Sequence, residues 1–146
     1  MSDNPTARQG VAVGEAQHGG ARDDRYFREL LETLPQIVYV ADGDGMLEFL
    51  NRHWYDYTGL ADMTRASEEW VRAIHSDDLA PLLARWERAR ANNAVFEAEY
   101  RLRDRDGGYR WHLGRSTPLT DASGKVFRWR GTATDITAQR KVAVAV

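Results

Sequence analysis

Val95-Phe-Glu-Ala-Glu-Tyr-Arg-Leu-Arg103, then Asp104-Arg-Asp-Gly-Gly108, then Tyr109-Arg-Trp111: an alternating run, an Asp/Gly turn, and a fresh start. A period of two sends Phe96, Ala98, Tyr100 and Leu102 to one face and Glu97, Glu99, Arg101 and Arg103 to the other. That is a half-buried strand entering a hairpin. Downstream the device repeats, with Tyr109 to Leu119, the turn Asp121-Ala-Ser-Gly124, and Lys125 to Thr134. Upstream, Gln36 to Ala41 and Met46 to Asn51 flank Asp42-Gly-Asp-Gly45. Tight Gly-rich turns between strands predict an antiparallel sheet of five strands.

Helices separate the second strand from the third. Residues 53–91 carry Trp54, Tyr55 and Tyr57, then Trp70, Val71 and Ile74, on short helices. A longer helix runs from about Asp78 with Leu79, Leu82, Leu83, Trp86 and Ala89 as its stripe. Ser76 or Asp77 is placed to cap it, and Pro81 falls in a first turn that tolerates proline. At the N-terminus, residues 1–22 are Gly-punctuated and poor in large apolar side chains, which predicts a flexible leader. Asp23 or Asp24 then precedes an amphipathic helix with the stripe Tyr26, Phe27, Leu30, Leu31 and Leu34, ended by Pro35. Residues 138–146 read as the first two turns of another helix, too short to stand alone.

Composition narrows the function classes. The 146 residues suit a single domain, with 42% hydrophobic residues for a core and a net charge of −2 with the signs mixed. No basic stripe for nucleic acid is present. No apolar run approaches the ~20 residues that would span a bilayer, and no secretion signal opens the chain, so a cytoplasmic location is expected. Cysteine is absent, which removes thiolate chemistry, disulfides and zinc–sulfur sites.

The order of elements resembles the PAS fold, an α+β architecture with short helices and one long helix packed on one face of a five-stranded antiparallel sheet. Leu34 to Gly45 looks like the opening hairpin of that family and Asn51 to Gly59 like the segment after it. Trp70 through His75-Ser-Asp-Asp78 resembles its Trp…His-Pro-Asp-Asp run, with Ser76 in place of proline. Tyr100 to Trp111, Pro118 and Gly124 resemble the C-terminal PAC half, closed by Trp129-Arg-Gly-Thr-Ala-Thr-Asp-Ile-Thr137. The resemblance gives a PAS domain over 23–137 and a signalling linker from 138. It implies a non-enzymatic sensory module that binds a small ligand or partner and relays the change to an effector, such as a histidine kinase or cyclic-di-GMP enzyme, in cis or in trans. The alternative is a ligand-free homodimerisation scaffold.

Candidate site residues follow. An EF-hand beginning at Asp42 would need oxygen ligands where Met46 and His53 stand, so the turn reading is preferred. His75 with Asp77 and Asp78 is read as a helix cap rather than a metal or proton-transfer site. Strand alternation sets His112, Gly114 and Ser116 opposite Trp111, Leu113 and Arg115. The resemblance puts His112 and Ser116 on the wall of a ligand cavity, with Tyr39, Trp54, Tyr57, Trp70, Trp86, Tyr100 and Leu102 around it. The small side chains leave room for a polar ligand. In the alternative, His112 bonds nearby backbone and Tyr100, Trp86 and Phe96 fill the space. No cofactor is assigned: flavin–thiol photochemistry lacks its cysteine, and haem lacks a histidine on the long helix. Trp129, Gly131, Asp135 and Thr137 mark the signalling exit, with Asp135 or Thr137 capping the helix that follows. The stripe Tyr26, Phe27, Leu30, Leu31 and Leu34 is the expected homodimer face. Arg101, Arg103, Arg110, Arg128 and Arg130 are expected to pair across strands with Glu97 and Glu99.

Overall fold

The computed structural model describes Arg25 and residues 36–145. The leader, the Asp23–Asp24 cap and the stripe from Tyr26 to Leu34 lie outside those residues. The described chain runs β1 (Ile37–Asp42), β2 (Leu47–Leu50), α1 (Arg52–Thr58), a 3₁₀ turn (Met63–Arg65), α2 (Ala66–Ala73), α3 (Ser76–Ala91), β3 (Phe96–Arg103), β4 (Tyr109–Thr120), β5 (Val126–Asp135) and α4 (Thr137–Ala145). Every strand pair is antiparallel, and the sheet order is β2-β1-β5-β4-β3. The first and last strands are central neighbours, with Ile37 opposite Ala133 and Tyr39 opposite Gly131.

The three strand turns share one design. Asp42, Asp104 and Asp121 each accept, through Oδ1, the backbone N–H groups two and four residues on, at 2.9–3.1 Å. The glycine three residues after each Asp sits at φ near +90°, a conformation that side chains with a Cβ resist. Asp-x-x-Gly is therefore a local instruction, and it fixes where each strand stops.

Helices fill the inner face of the sheet. Ile37, Leu50, Trp54, Ile74, Leu82, Phe96, Tyr100, Leu102 and Ala133 form the core. On α3 the buried line is Leu82 and Ala89, with Leu79 and Trp86 packed beside it. Leu83, expected in that stripe, is exposed, because it lies about 100° around the helix from Leu82. Val71 likewise faces outward. The start of α3 also departs from expectation. Its cap is His75, whose Nδ1 accepts the Asp77 N–H at 3.0 Å, and not Ser76 or Asp77. Because the helix begins at Ser76, Pro81 falls beyond its first turn. None of the described helices is long and apolar enough to cross a membrane.

Candidate functional site

His112 and Ser116, which alternation sets on one face of β4 and the family resemblance on its inner side, lie on the inner wall of the sheet. His112 and Ser116 are each 1% exposed. His112 Nδ1 meets the Arg110 carbonyl at 3.0 Å, and a carbonyl can only accept, so the proton sits on Nδ1. The ring also meets Tyr57 edge-on at 5.1 Å. Burial holds the His112 pKa below its ordinary value, against the opposing pull of the Arg110 carbonyl. The imidazole is therefore poised to be neutral.

The room expected beside the small side chains is taken by the protein's own phenols. Tyr39 stands on β1 opposite Gly131, and its hydroxyl hydrogen-bonds Ser116 Oγ. A Cβ built on Gly131 would come within 2.7 Å of Ser116 Oγ and closer still to the Tyr39 ring. A Cβ on Gly114 would meet Tyr100 Cε1 at 2.7 Å. Two glycines on adjacent strands thus act as seats for two tyrosines. Burial pushes the Tyr39 phenol up to about 12, the Ser116 bond pulling the other way, and raises Tyr100 well above its usual range.

The remaining candidates line this layer or sit at its rim. Trp54 stacks on Trp70 at 4.8 Å and 7°, and Trp70 meets Tyr39 edge-on at 5.1 Å. Tyr57 Oη donates to the Leu102 carbonyl at 2.6 Å, which ties α1 to β3. Trp86 packs edge-to-face on both Phe96 and Trp129. Tyr39, Tyr57, Trp70, Tyr100, His112 and Ser116 therefore form one aromatic and hydroxyl layer, whereas Trp86 belongs to the opposite end.

The exit from the sheet is a built clamp. Asp135 Oδ1 accepts the Thr137 N–H at 2.9 Å, at the start of α4. The Trp111 N–H donates to Thr137 Oγ1 at 3.0 Å, and the Ile136 N–H donates to the Trp111 carbonyl at 2.8 Å. Arg110 pairs with Asp135. Burial raises the Asp135 pKa, but the bonds from Arg110 and the Thr137 N–H outweigh it, and the carboxyl lies below the usual range. One turn into α4, Arg140 pairs with Glu99 and lies 3.7 Å over the Trp111 ring. Arg101 approaches the same ring at 5.0 Å. Arg101 is in turn held by Asp78 of α3, through its backbone N–H at 2.8 Å and its guanidinium at 2.8 and 3.0 Å. Those bonds hold Asp78 below its ordinary pKa.

Two of the four expected exit residues are elsewhere. Gly131 is the seat of Tyr39, and Trp129 packs under α3. Trp129 lies six residues before Asp135 on β5, about 20 Å along the strand. The arginines also choose partners other than those expected. The Glu97 carboxylate takes Arg115, Glu99 takes Arg140, Arg101 takes Asp78, Arg110 takes Asp135 and Arg128 takes Glu48. Sequence reasoning missed Arg140 and the Asp78–Arg101 tie, because each contact joins segments that local patterning treats separately.

Comparison with known proteins agrees with this architecture. Residues 47–133 match the family model described as PAS fold. The chain is 33% identical over 131 residues to peroxide stress-activated histidine kinase mak1 of Schizosaccharomyces pombe, covering 84% of this chain and 8% of that protein. It is 31% identical over 121 residues to protein y4lL of Sinorhizobium fredii, covering 83% and 14% respectively. The chain therefore spans a small part of these relatives. Among solved structures, the N-terminal domain of a diguanylate cyclase with PAS/PAC sensor from Marinobacter aquaeolei superposes with a TM-score of 0.65 at 22% identity, covering 72% of this chain and 98% of that one. A sensory box histidine kinase/response regulator from Burkholderia thailandensis gives 0.61 at 24%, covering 82% and 90%.

Proposed function

Because the chain belongs to the PAS-fold family, we propose that it is a sensory relay module whose output leaves through the clamp at Asp135, Thr137 and Arg140. A histidine kinase is among the relatives named above, and the sensor domain of a diguanylate cyclase shares the fold. The observation that carries the reading is the double attachment of α4. Its N-terminal end is capped by Asp135 and tied to the Trp111 backbone, and its first turn is tied through Arg140 to β3 and β4. A shift of β4 against β5 moves the cap and the Arg140 anchor together, so the direction of α4 follows the state of the sheet. Asp78 and Arg101 extend the connection to α3. The input is a change in the aromatic layer around His112, Ser116 and Tyr39, caused by a small ligand or by a partner. The effector is a kinase or cyclic-dinucleotide enzyme, and the module works as a homodimer through residues 26–34.

A second reading, a ligand-free scaffold, is favoured by the filling of the inner layer by Tyr39 and Tyr100. The two readings separate in one measurement. Asp135→Ala and Arg140→Gln are compared with wild type for amide exchange over residues 137–141 and for the output of an appended histidine kinase. A lost cap worth about 1 kcal/mol should speed exchange about fivefold. If exchange and output both stay at wild-type levels, α4 is not the relay.

A further inference from the structure

The cap of α3 is an imidazole, and an imidazole cannot cap in both of its protonation states. His75 Nδ1 accepts the Asp77 N–H at 3.0 Å, so the lone pair is on Nδ1 and the neutral ring carries its proton on Nε2. A second proton can go only to Nδ1. There it turns the acceptor into a donor facing another donor, and the cap is lost. The His75 side chain is 24% exposed, so solvent delivers that proton without unfolding the chain. Imidazole is also the side chain that ordinarily changes charge between about pH 5 and 8.

A second set of partners waits for the charged ring. Asp77 Oδ2 lies 4.0 Å from Nδ1. Tyr109 of β4 lies 4.8 Å away, ring centre to ring centre, and an aromatic ring attracts a cation. A charge at His75 also reaches Asp78, whose carboxyl is held below its ordinary range first by Arg101 and in smaller part by His75. Arg101 of β3 in turn faces both Asp78 and Asp77. Two carboxylates that serve one cation when His75 is neutral must therefore serve two when it is charged. This competition has a lever. The His75 N–H donates to the Arg101 carbonyl at 2.9 Å, and Asp78 accepts the Arg101 N–H at 2.8 Å, so the start of α3 clips the edge strand at one residue.

We propose that His75 is a proton switch at the junction of α3 and the sheet. Neutral, it caps α3, and the first turn of the helix holds Arg101 by both its N–H and its carbonyl. Charged, it releases the Asp77 N–H and turns to the Asp77 carboxylate and the Tyr109 ring. It then competes with Arg101 for Asp78 and loosens the clip on β3. Arg101 lies 5.0 Å over Trp111, the ring that also carries Arg140 of α4. That the change travels on to α4 rests on the relay reading; the switch at Arg101 does not.

The test is an NMR titration of the ¹⁵N-labelled full chain from about pH 8 to 5, following the His75 and His112 rings and the Asp77 and Arg101 amides. The Asp77 amide should move upfield as its bond is lost, the Arg101 amide should shift with it, and both should share the midpoint of the His75 ring. Exchange at the Asp77 amide, corrected for the intrinsic effect of pH, should be about fivefold faster in acid, as for a lost cap. His75→Asn keeps a capping oxygen that does not titrate, so both amides should then hold still over the same range. If that variant does not fold, the wild-type midpoints decide, and amides that follow the His112 ring overturn the proposal. It is overturned equally if the Asp77 amide stays in place while the His75 ring titrates, if the Arg101 amide does not follow, or if His75→Asn titrates like wild type. If both amides follow His75 while exchange over residues 137–141 does not change, the switch stands and the relay reading fails.

Discussion

Replacing Gly131 with alanine should force the Tyr39 ring off its seat, and the size of the effect can be worked from the contacts. The new methyl carbon would sit 2.7 Å from Ser116 Oγ and closer to the ring, so the ring must move off and the hydroxyl must turn away. Moving Tyr39 gives up its hydroxyl bond to Ser116, about 1 kcal/mol. It also gives up the edge contact with Trp70, about 1 kcal/mol beyond the area lost. Residual crowding of a filled layer adds about 1 kcal/mol. Against this, alanine in a strand gains about 0.5–1 kcal/mol over glycine through the entropy of the unfolded chain. The expected net loss is about 2 kcal/mol, or roughly a 10 °C fall in Tm for a domain of this size. The sharper measurement is a double-mutant cycle in urea. In a Tyr39→Ala background only the small Ser116 hydroxyl, which can rotate away, stands near Gly131, so Gly131→Ala should cost much less there than in wild type. If it costs as much in that background as in wild type, the strain lies in the backbone and the seat reasoning is wrong.

Three further outcomes follow from the same contacts. His112 has a depressed folded pKa, so between that value and about 6.5 the unfolded chain binds the extra proton and stability falls as pH drops. Urea unfolding should weaken from pH 7 to 5 in wild type and stay flatter in His112→Gln, and parallel curves would exclude His112 as the source. Asp78→Ala removes three bonds to Arg101 and strands its backbone N–H, so it should cost about 2–3 kcal/mol by the same assay. A loss within ±0.5 kcal/mol would show that water replaces Asp78 fully. His75→Ala should cost about 1 kcal/mol as a lost N-cap and raise exchange at the Asp77 amide, whereas Ser76→Ala should leave that amide unchanged. The reverse order would restore Ser76 as the cap.

Much of the fold was legible because its instructions are local. The Asp-x-x-Gly turns, the alternation of Phe96 to Leu102 and the helical spacing from Leu79 to Ala89 each depend on residues within about ten positions of one another. Alternation also put His112 and Ser116 on one face together, since a strand admits only two faces, and the family resemblance made that face the inner one. The occupants of the inner face were not legible in the same way. Gly114 and Ser116 read as space in one dimension, yet Tyr100 and Tyr39 arrive from β3 and β1 to fill it. Of the cap readings at the start of α3, His75 holds and Ser76 or Asp77 does not, because an imidazole nitrogen can accept as well as a hydroxyl or carboxylate.

The closing segment shows the division most clearly. The sequence pointed to a strand ending near Asp135 and a helix beginning beside it, because Asp and Thr are favoured helix caps and the alternation stops there. Tertiary structure alone decided that this helix is anchored. Arg140 finds Glu99 and Trp111, and Arg101 finds Asp78, only after strands distant in sequence are laid side by side. Local backbone preferences are written residue by residue. Which charge meets which depends on register, and register is settled only when the whole sheet has closed.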